Sequence, residues 1–120
     1  MDRVKNPWAS PKASSVRPIS DADLVLLRGV VEHVQPSLRV GHKSLAATHV
    51  VGKLNAHLAS DGLVAVEFVG LARKQVEALC NELALGTRGT LVELSGEVAW
   101  FYRSLPQLSV EALVDRFRPV

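Results

Sequence analysis

Residues Leu63 to Val69 read LVAVEFV, and within that run Glu67 alone is polar. Successive residues of a strand point to opposite faces. A strand with one wet face therefore alternates apolar and polar residues, whereas this run is apolar on both sets of positions. It has the pattern of a strand covered on both faces, as in sheets that carry helices on each side. Glu67 is expected toward the strand end or at an exposed edge.

The flanking sequence supplies the helices. Ser20 followed by Asp23 resembles a capping box with Asp in place of Glu. From there the spacing predicts a helix to about His33, with Leu24, Leu27, Val31 and Val34 on one apolar face, ended by Pro36. Leu38 to Gly41 is a short strand, with Leu38 and Val40 pointing one way and Arg39 the other. A second helix is predicted from Leu45 to about Leu58, with Ala47, Val51, Leu54 and Leu58 as its apolar stripe. Asp61-Gly62 is a turn before the LVAVEFV strand. A third helix is predicted over Ala72 to Leu85, burying Val76, Leu79, Cys80 and Leu83, with Gly86 placed for the left-handed residue beyond its end.

Thr90 to Leu94 and Val98 to Arg103 form a predicted hairpin across Ser95-Gly96-Glu97. Trp100 and Tyr102 fall on one face and Phe101 on the other; such aromatics can stack bases or pack a core. A last amphipathic helix covers Ser109 to Phe117, with Ser109 as N-cap. The order is α-β-α-β-α-β-β, an α/β fold with a four-stranded mixed sheet and flanking helices. Crossover helices imply parallel pairing of the first three strands, with an antiparallel final strand.

Charge divides the chain. Residues 1–19 hold Arg3, Lys5, Lys12 and Arg17 against Asp2, with Pro7, Pro11 and Pro18, and read as a flexible basic arm. Trp8 in this arm can anchor it or stack on a base. Three prolines argue against a transit peptide, and the N-terminus lacks the apolar stretch of a secretory signal. Residues 20–103 carry eight basic and nine acidic side chains, so any anion site there is a local patch. The single cysteine permits no internal disulfide, which fits a reducing compartment, and no apolar run is long enough to span a membrane.

The local patch has one clear candidate, Gly41-His42-Lys43-Ser44, between the first strand and the second helix. A tight turn into a helix N-terminus points backbone N–H groups outward, and the helix dipole favours an anion there. His42 and Lys43 add donors and charge, while Ser44 can cap the helix or donate to a phosphate. Arg39 either reaches the same surface or forms a surface salt bridge. Lys53 lies with His49 and His57 on a helix face about 120° from the apolar stripe. It either extends the phosphate surface or is simply solvated, and the two histidines read as solvated. Arg73 and Lys74 open the third helix, where cations oppose the dipole, a weak pointer to an anionic ligand. Arg88 and Arg103 read as ordinary surface charges, and Cys80 as a packing residue.

No nucleophile–base pattern, Walker sequence or paired carboxylates stand in recognisable context. His49 and His57 with Lys53 between them make a poor metal site. The residues thus point to a non-enzyme that needs neither cofactor nor metal.

Three stretches carry a resemblance. "LRGVVEHVQPSLRVG", "LNAHLASDGLVAVEF" and "LSGEVAWFYR" occur in the order and places of the corresponding segments of the CRM domain (chloroplast RNA splicing and ribosome maturation). The match runs from about Leu27 to Arg103 and is similar to the single-domain bacterial YhbY-like members. The resemblance implies a fold similar to the C-terminal domain of translation initiation factor 3. It also implies a cytoplasmic RNA-binding protein associated with ribosomal RNA in precursors of the large subunit. The family's RNA-contacting GxxG loop corresponds to Gly41-His42-Lys43-Ser44, with serine in place of the second glycine. Arg39, Gly41, His42, Lys43, Ser44 and Lys53 are then the expected RNA contacts, with Lys12, Arg17, Arg73 and Lys74 auxiliary. The expected organisation is an arm at 1–19, the RNA-binding domain at 20–103 and an extension at 104–120. Ser44, Ala65 and Glu67, where family members often carry glycine or basic residues, motivate the alternative: a protein-interaction module with weakened RNA binding. The C-terminal helix would be its docking element, or simply a cap on the sheet.

Overall fold

The computed structural model describes residues 19–41 and 47–117. The loop residues His42, Lys43 and Ser44 and the arm residues Arg3, Lys5, Trp8, Lys12 and Arg17 lie outside the described residues. The elements are α1 (Asp21–Arg28), β1 (Pro36–Val40), α2 (Ala47–Asp61), β2 (Leu63–Phe68), α3 (Arg73–Thr87), β3 (Thr90–Ser95), β4 (Val98–Tyr102) and α4 (Val110–Phe117).

Local chemistry explains most of these bounds. The Ser20 hydroxyl accepts from the Asp23 backbone N–H at 3.1 Å, and the Ser109 hydroxyl accepts from Ala112 N–H at 3.1 Å, so α1 and α4 both start on serine caps. The first helix is shorter than its periodicity predicts. It stops at Arg28, Gly29 closes it, and a separate 3₁₀ turn covers Val31–His33. The tighter turn still brings Val30, Val31 and Val34 into the core. Gly62 ends α2 at a φ of +80°, with Leu105 and Leu113 packed against it, a position suited to glycine on both counts.

Gly86 corrects another expectation. The helix runs through it to Thr87, and Arg88 takes the left-handed conformation instead, at φ 59°. The glycine serves close approach: a Cβ there would lie 2.9 Å from Cγ2 of Val51 on α2. Small size at Gly86 thus sets the spacing of α2 and α3.

The sheet order is β1-β2-β4-β3. β1 pairs parallel to β2, with Arg39 beside Glu67 and Val40 beside Phe68. β4 pairs antiparallel to both β2 and β3. The first three strands do run the same way, but β3 does not pair with β2, because β4 lies between them. A hairpin places β3 and β4 side by side without deciding which of them meets β2.

β2 is covered on both faces, as its composition requires. Val64, Val66 and Phe68 join Leu54, Leu58, Val76, Leu79, Cys80, Leu83 and Phe101 in a core under α2 and α3. Leu63 and Ala65 join Leu27, Val31, Val34, Trp100, Tyr102, Val110, Leu113 and Val114 in a second core under α1 and α4. Complete burial of one large apolar side chain is worth about 1.5–3 kcal/mol, so each face contributes substantially. The alternation of Trp100 and Tyr102 against Phe101 is as expected, and all three are buried. Trp100 Nε1 donates to the Val34 carbonyl at 3.3 Å. Core packing, not base stacking, accounts for these aromatics.

Candidate functional site

β1 and β2 are parallel, so they end at the same edge of the sheet, and the crossovers to α2 and α3 leave from there. In open α/β sheets this carboxyl end is the usual place for a ligand. The Val69 N–H donates to the Val40 carbonyl at 2.8 Å, which ties the two exits together. Gly41 is the next residue, half-buried, and a Cβ built on it would lie 3.5 Å from the Val69 carbonyl oxygen. The turn predicted to hold an anion therefore departs from a fixed point beside the start of α3.

The electrostatics of the helix starts divide by face. α1 carries Asp21 and Asp23 in its first turn, and α4 carries Glu111. α2 and α3 carry no acid in theirs. Acidic side chains complement the positive end of a helix dipole. At α2 and α3 no acid of the first turn offsets that end, on the side of the sheet where their crossovers begin. α3 has no side-chain cap on its first N–H groups; Gln75 Oε1 instead accepts from the Ala72 N–H at 3.0 Å.

The cations at this end are partly engaged. Arg39 Nε donates to Glu67 Oε1 at 3.1 Å, with the Arg39 side chain 75% exposed. The salt-bridge alternative for Arg39 is thus realised, and Glu67 lies one residue from the end of β2, as expected. Arg73 Nε pairs with Glu77 Oε2 at 3.1 Å within α3. Lys74 is exposed. Lys53 is exposed on α2, roughly 9 Å along the axis from Ala47. His49 is exposed and His57 half-buried. The structure brings Arg39, Gly41, Arg73 and Lys74 to one end of the sheet, while Lys53 stands farther along α2.

Arg103 is not an ordinary surface charge. Its guanidinium donates to the Asn55 side chain, to the Asn55 carbonyl at 3.3 Å and to the Thr87 carbonyl at 2.9 Å. It ties the end of β4 to α2 and to the last turn of α3, opposite the Gly41 end. Arg28 plays a similar part, with Nε donating to the Val92 carbonyl at 3.1 Å. Cys80 is buried, and desolvation raises its thiol pKa to about 11, as suits a packing residue.

Sequence reasoning missed the partnership of Arg39 with Glu67. A signal exists: each is the penultimate residue of its strand, so parallel strands aligned at their ends place them side by side. The apolar face of α4 is committed as well. Val110, Leu113 and Val114 are buried in the second core, so the helix caps the sheet and does not offer that face for docking. Among the described residues no group of three or more His, Cys, Asp or Glu side chains is placed to hold a metal, and no helix is long and apolar enough to cross a membrane.

Comparison with known proteins gives two findings. A family model described as the CRS1/YhbY (CRM) domain matches residues 19–103. The solution structure of a hypothetical protein from Staphylococcus aureus, proposed to bind RNA, is similar with a TM-score of 0.64 at 18% sequence identity. That similarity covers 75% of this chain and 93% of the other, and at this identity it is a likeness of fold. No curated protein matches the chain significantly. α4 lies beyond the end of the family match.

Proposed function

The chain belongs to the CRS1/YhbY (CRM) domain family, and from that premise we propose that it is a non-catalytic, cytoplasmic RNA-binding protein. Its target class is structured ribosomal RNA in precursors of the large subunit. The site is the Gly41-His42-Lys43-Ser44 turn at the carboxyl end of β1. Backbone N–H groups of the turn and the start of α2 clamp a sugar-phosphate segment, Lys43 supplies charge, and Arg39 and Lys53 widen the contact. Lys74 and Arg73 lie on the α3 side of the same surface. Arg3, Lys5, Lys12 and Arg17 add loose attraction.

The observation that carries this reading is the position of Gly41. It is fixed against Val69 at the end of a parallel strand pair, where two helices begin without an acidic residue in their first turns. A phosphate complements that arrangement, and a cation does not. The folded region has no general basic excess, so affinity should come from few contacts. With three or four phosphates engaged, log Kd should change with log salt by a slope of roughly 2 to 4.

The test is a mobility-shift assay with large-subunit ribosomal RNA on the native chain, on Lys43→Glu and on a chain lacking residues 1–18. The truncation keeps Ile19, which packs on the second core. Reversing the Lys43 charge removes one phosphate contact and adds a repulsion, so affinity should fall about tenfold with the melting temperature unchanged. Native affinity in a folded Lys43→Glu protein at low salt would overturn the loop as the site. Loss of binding in the truncated chain alone, with Lys43→Glu unaffected, would transfer the function to the arm.

A further inference from the structure

We infer that Glu67 is a positioning residue for RNA binding, holding Arg39 in the orientation that meets a phosphate. This rests on the reading of Arg39 as a phosphate ligand. A carboxylate beside a phosphate site would ordinarily count against binding, and the geometry gives the reason it does not.

Arg39 and Glu67 are register partners across the parallel β1–β2 pair, one residue before the strands end. Leu38 and Val40 pack toward α2 and α3, so Arg39 projects on the opposite face, at the outer edge of the sheet. Leu63 and Ala65 on that face are buried in the second core, but Glu67 is beyond them, with its side chain 31% exposed. The pair borders a shallow groove that also takes in Gln35, Pro36 and Ser37.

The bond between them uses Nε of Arg39 and one oxygen of Glu67, at 3.1 Å. A guanidinium has five N–H donors in a rigid plane. Engaging Nε leaves the Nη1–Nη2 edge available for a bidentate phosphate contact, and among the described residues Arg39 has no second partner. Glu67 belongs to a strand in the middle of the sheet, so it is a firm anchor for a side chain that is otherwise three-quarters exposed.

Two effects oppose each other. The Glu67 carboxylate repels a phosphate on the far edge of the guanidinium, at a separation close to a Debye length and through water. That repulsion should weaken binding less than about twofold. An unanchored arginine loses much more rotamer freedom when it binds, and a pre-oriented fork avoids several-fold of that loss. Positioning therefore outweighs repulsion.

The experiment is fluorescence anisotropy with a labelled, structured fragment of large-subunit ribosomal RNA. The proteins are the full native chain, Glu67→Ala, Glu67→Gln, Arg39→Ala, the Arg39→Ala/Glu67→Ala double variant and Lys43→Glu, each checked by thermal melting. Glu67→Ala should weaken binding about threefold to fivefold although it removes a negative charge. Glu67→Gln should stay within about twofold of native, because its amide oxygen still accepts from Nε. In the Arg39→Ala background the Glu67→Ala change should have no effect. Tighter binding by Glu67→Ala, or equal weakening in both backgrounds, would overturn the inference. If Arg39→Ala binds like the native chain while Lys43→Glu does not, the inference fails and the loop reading stands. If the native chain does not bind, both fail.

Discussion

Gly41→Ala separates a glycine required by the fold from one required by a ligand. The backbone of Gly41 lies outside the left-handed region, and a Cβ there would meet the Val69 carbonyl oxygen at 3.5 Å, an ordinary contact. Among the described residues nothing resists a methyl group at this point. Alanine also has fewer unfolded conformations than glycine, so the change should stabilise the protein by ~0.4–1 kcal/mol. For a domain of this size that raises the melting temperature by a few degrees. A phosphate backbone bound as we propose would be a different matter. A Cβ at the mouth of the turn keeps the ligand back and weakens one charge-assisted hydrogen bond, worth about 1.5–3 kcal/mol. Affinity for ribosomal RNA should then fall about tenfold or more. Both quantities can be read on one preparation, by circular dichroism melting and by anisotropy titration. A stable Gly41→Ala protein with native affinity would refute the close-approach argument. A clearly destabilised one would refute the steric reading of the fold.

Two further predictions concern stability alone. Arg103→Ala removes a charged donor shared by two backbone carbonyls and the Asn55 side chain and should cost about 1–3 kcal/mol in urea denaturation. RNA affinity should be unaffected, because Arg103 anchors the end of the sheet away from Gly41. Burial raises the Cys80 thiol from 9.0 to about 11, so the unfolded chain ionises first as pH rises. The stability this group contributes is fully present below pH 9 and lost between about pH 9 and 11. Cys80→Ala should flatten that alkaline decline in melting curves, and an unchanged decline would assign it to other groups.

The legible parts of the sequence were those set by short-range pattern. LVAVEFV is apolar on both faces because two separate cores meet on β2, and each core claims alternate residues. Ser20 and Ser109 announced helix starts because a cap is a contact across three residues. What could not be read depends on neighbours distant in the chain. Gly86 looks like a helix terminator until Val51 of another helix is seen against it. Arg103 looks solvated until three acceptors from α2 and α3 surround it. The hairpin of β3 and β4 was evident, but its orientation against β2 depends on which strand better fills the middle. Trp100, Phe101 and Tyr102 give β4 large side chains for both cores, so it takes that place and β3 becomes the edge.

The same division governs the site. α1 and α4 close one face of the sheet with acid-started helices and a continuous apolar contact. α4 completes that core although it lies beyond residues 19–103. The second face is therefore committed to stability, and its aromatics and apolar helix stripes are not surfaces for a ligand. Under α2 and α3 the core is equally full, so the covered parts of both faces are taken up by packing, while the outer edge at β1, where Arg39 projects, stays exposed. What remains is the end where β1 and β2 stop together. In the proposed reading Gly41 allows close backbone approach there, beside two helix starts without an acid in their first turns and Arg39 held on a carboxylate. A chain with so little basic excess can bind a polyanion only by concentrating its donors in one place. The paired strand ends are the place we propose, which is why Gly41→Ala and Glu67→Ala, both remote from the cores, should alter affinity without loss of the fold.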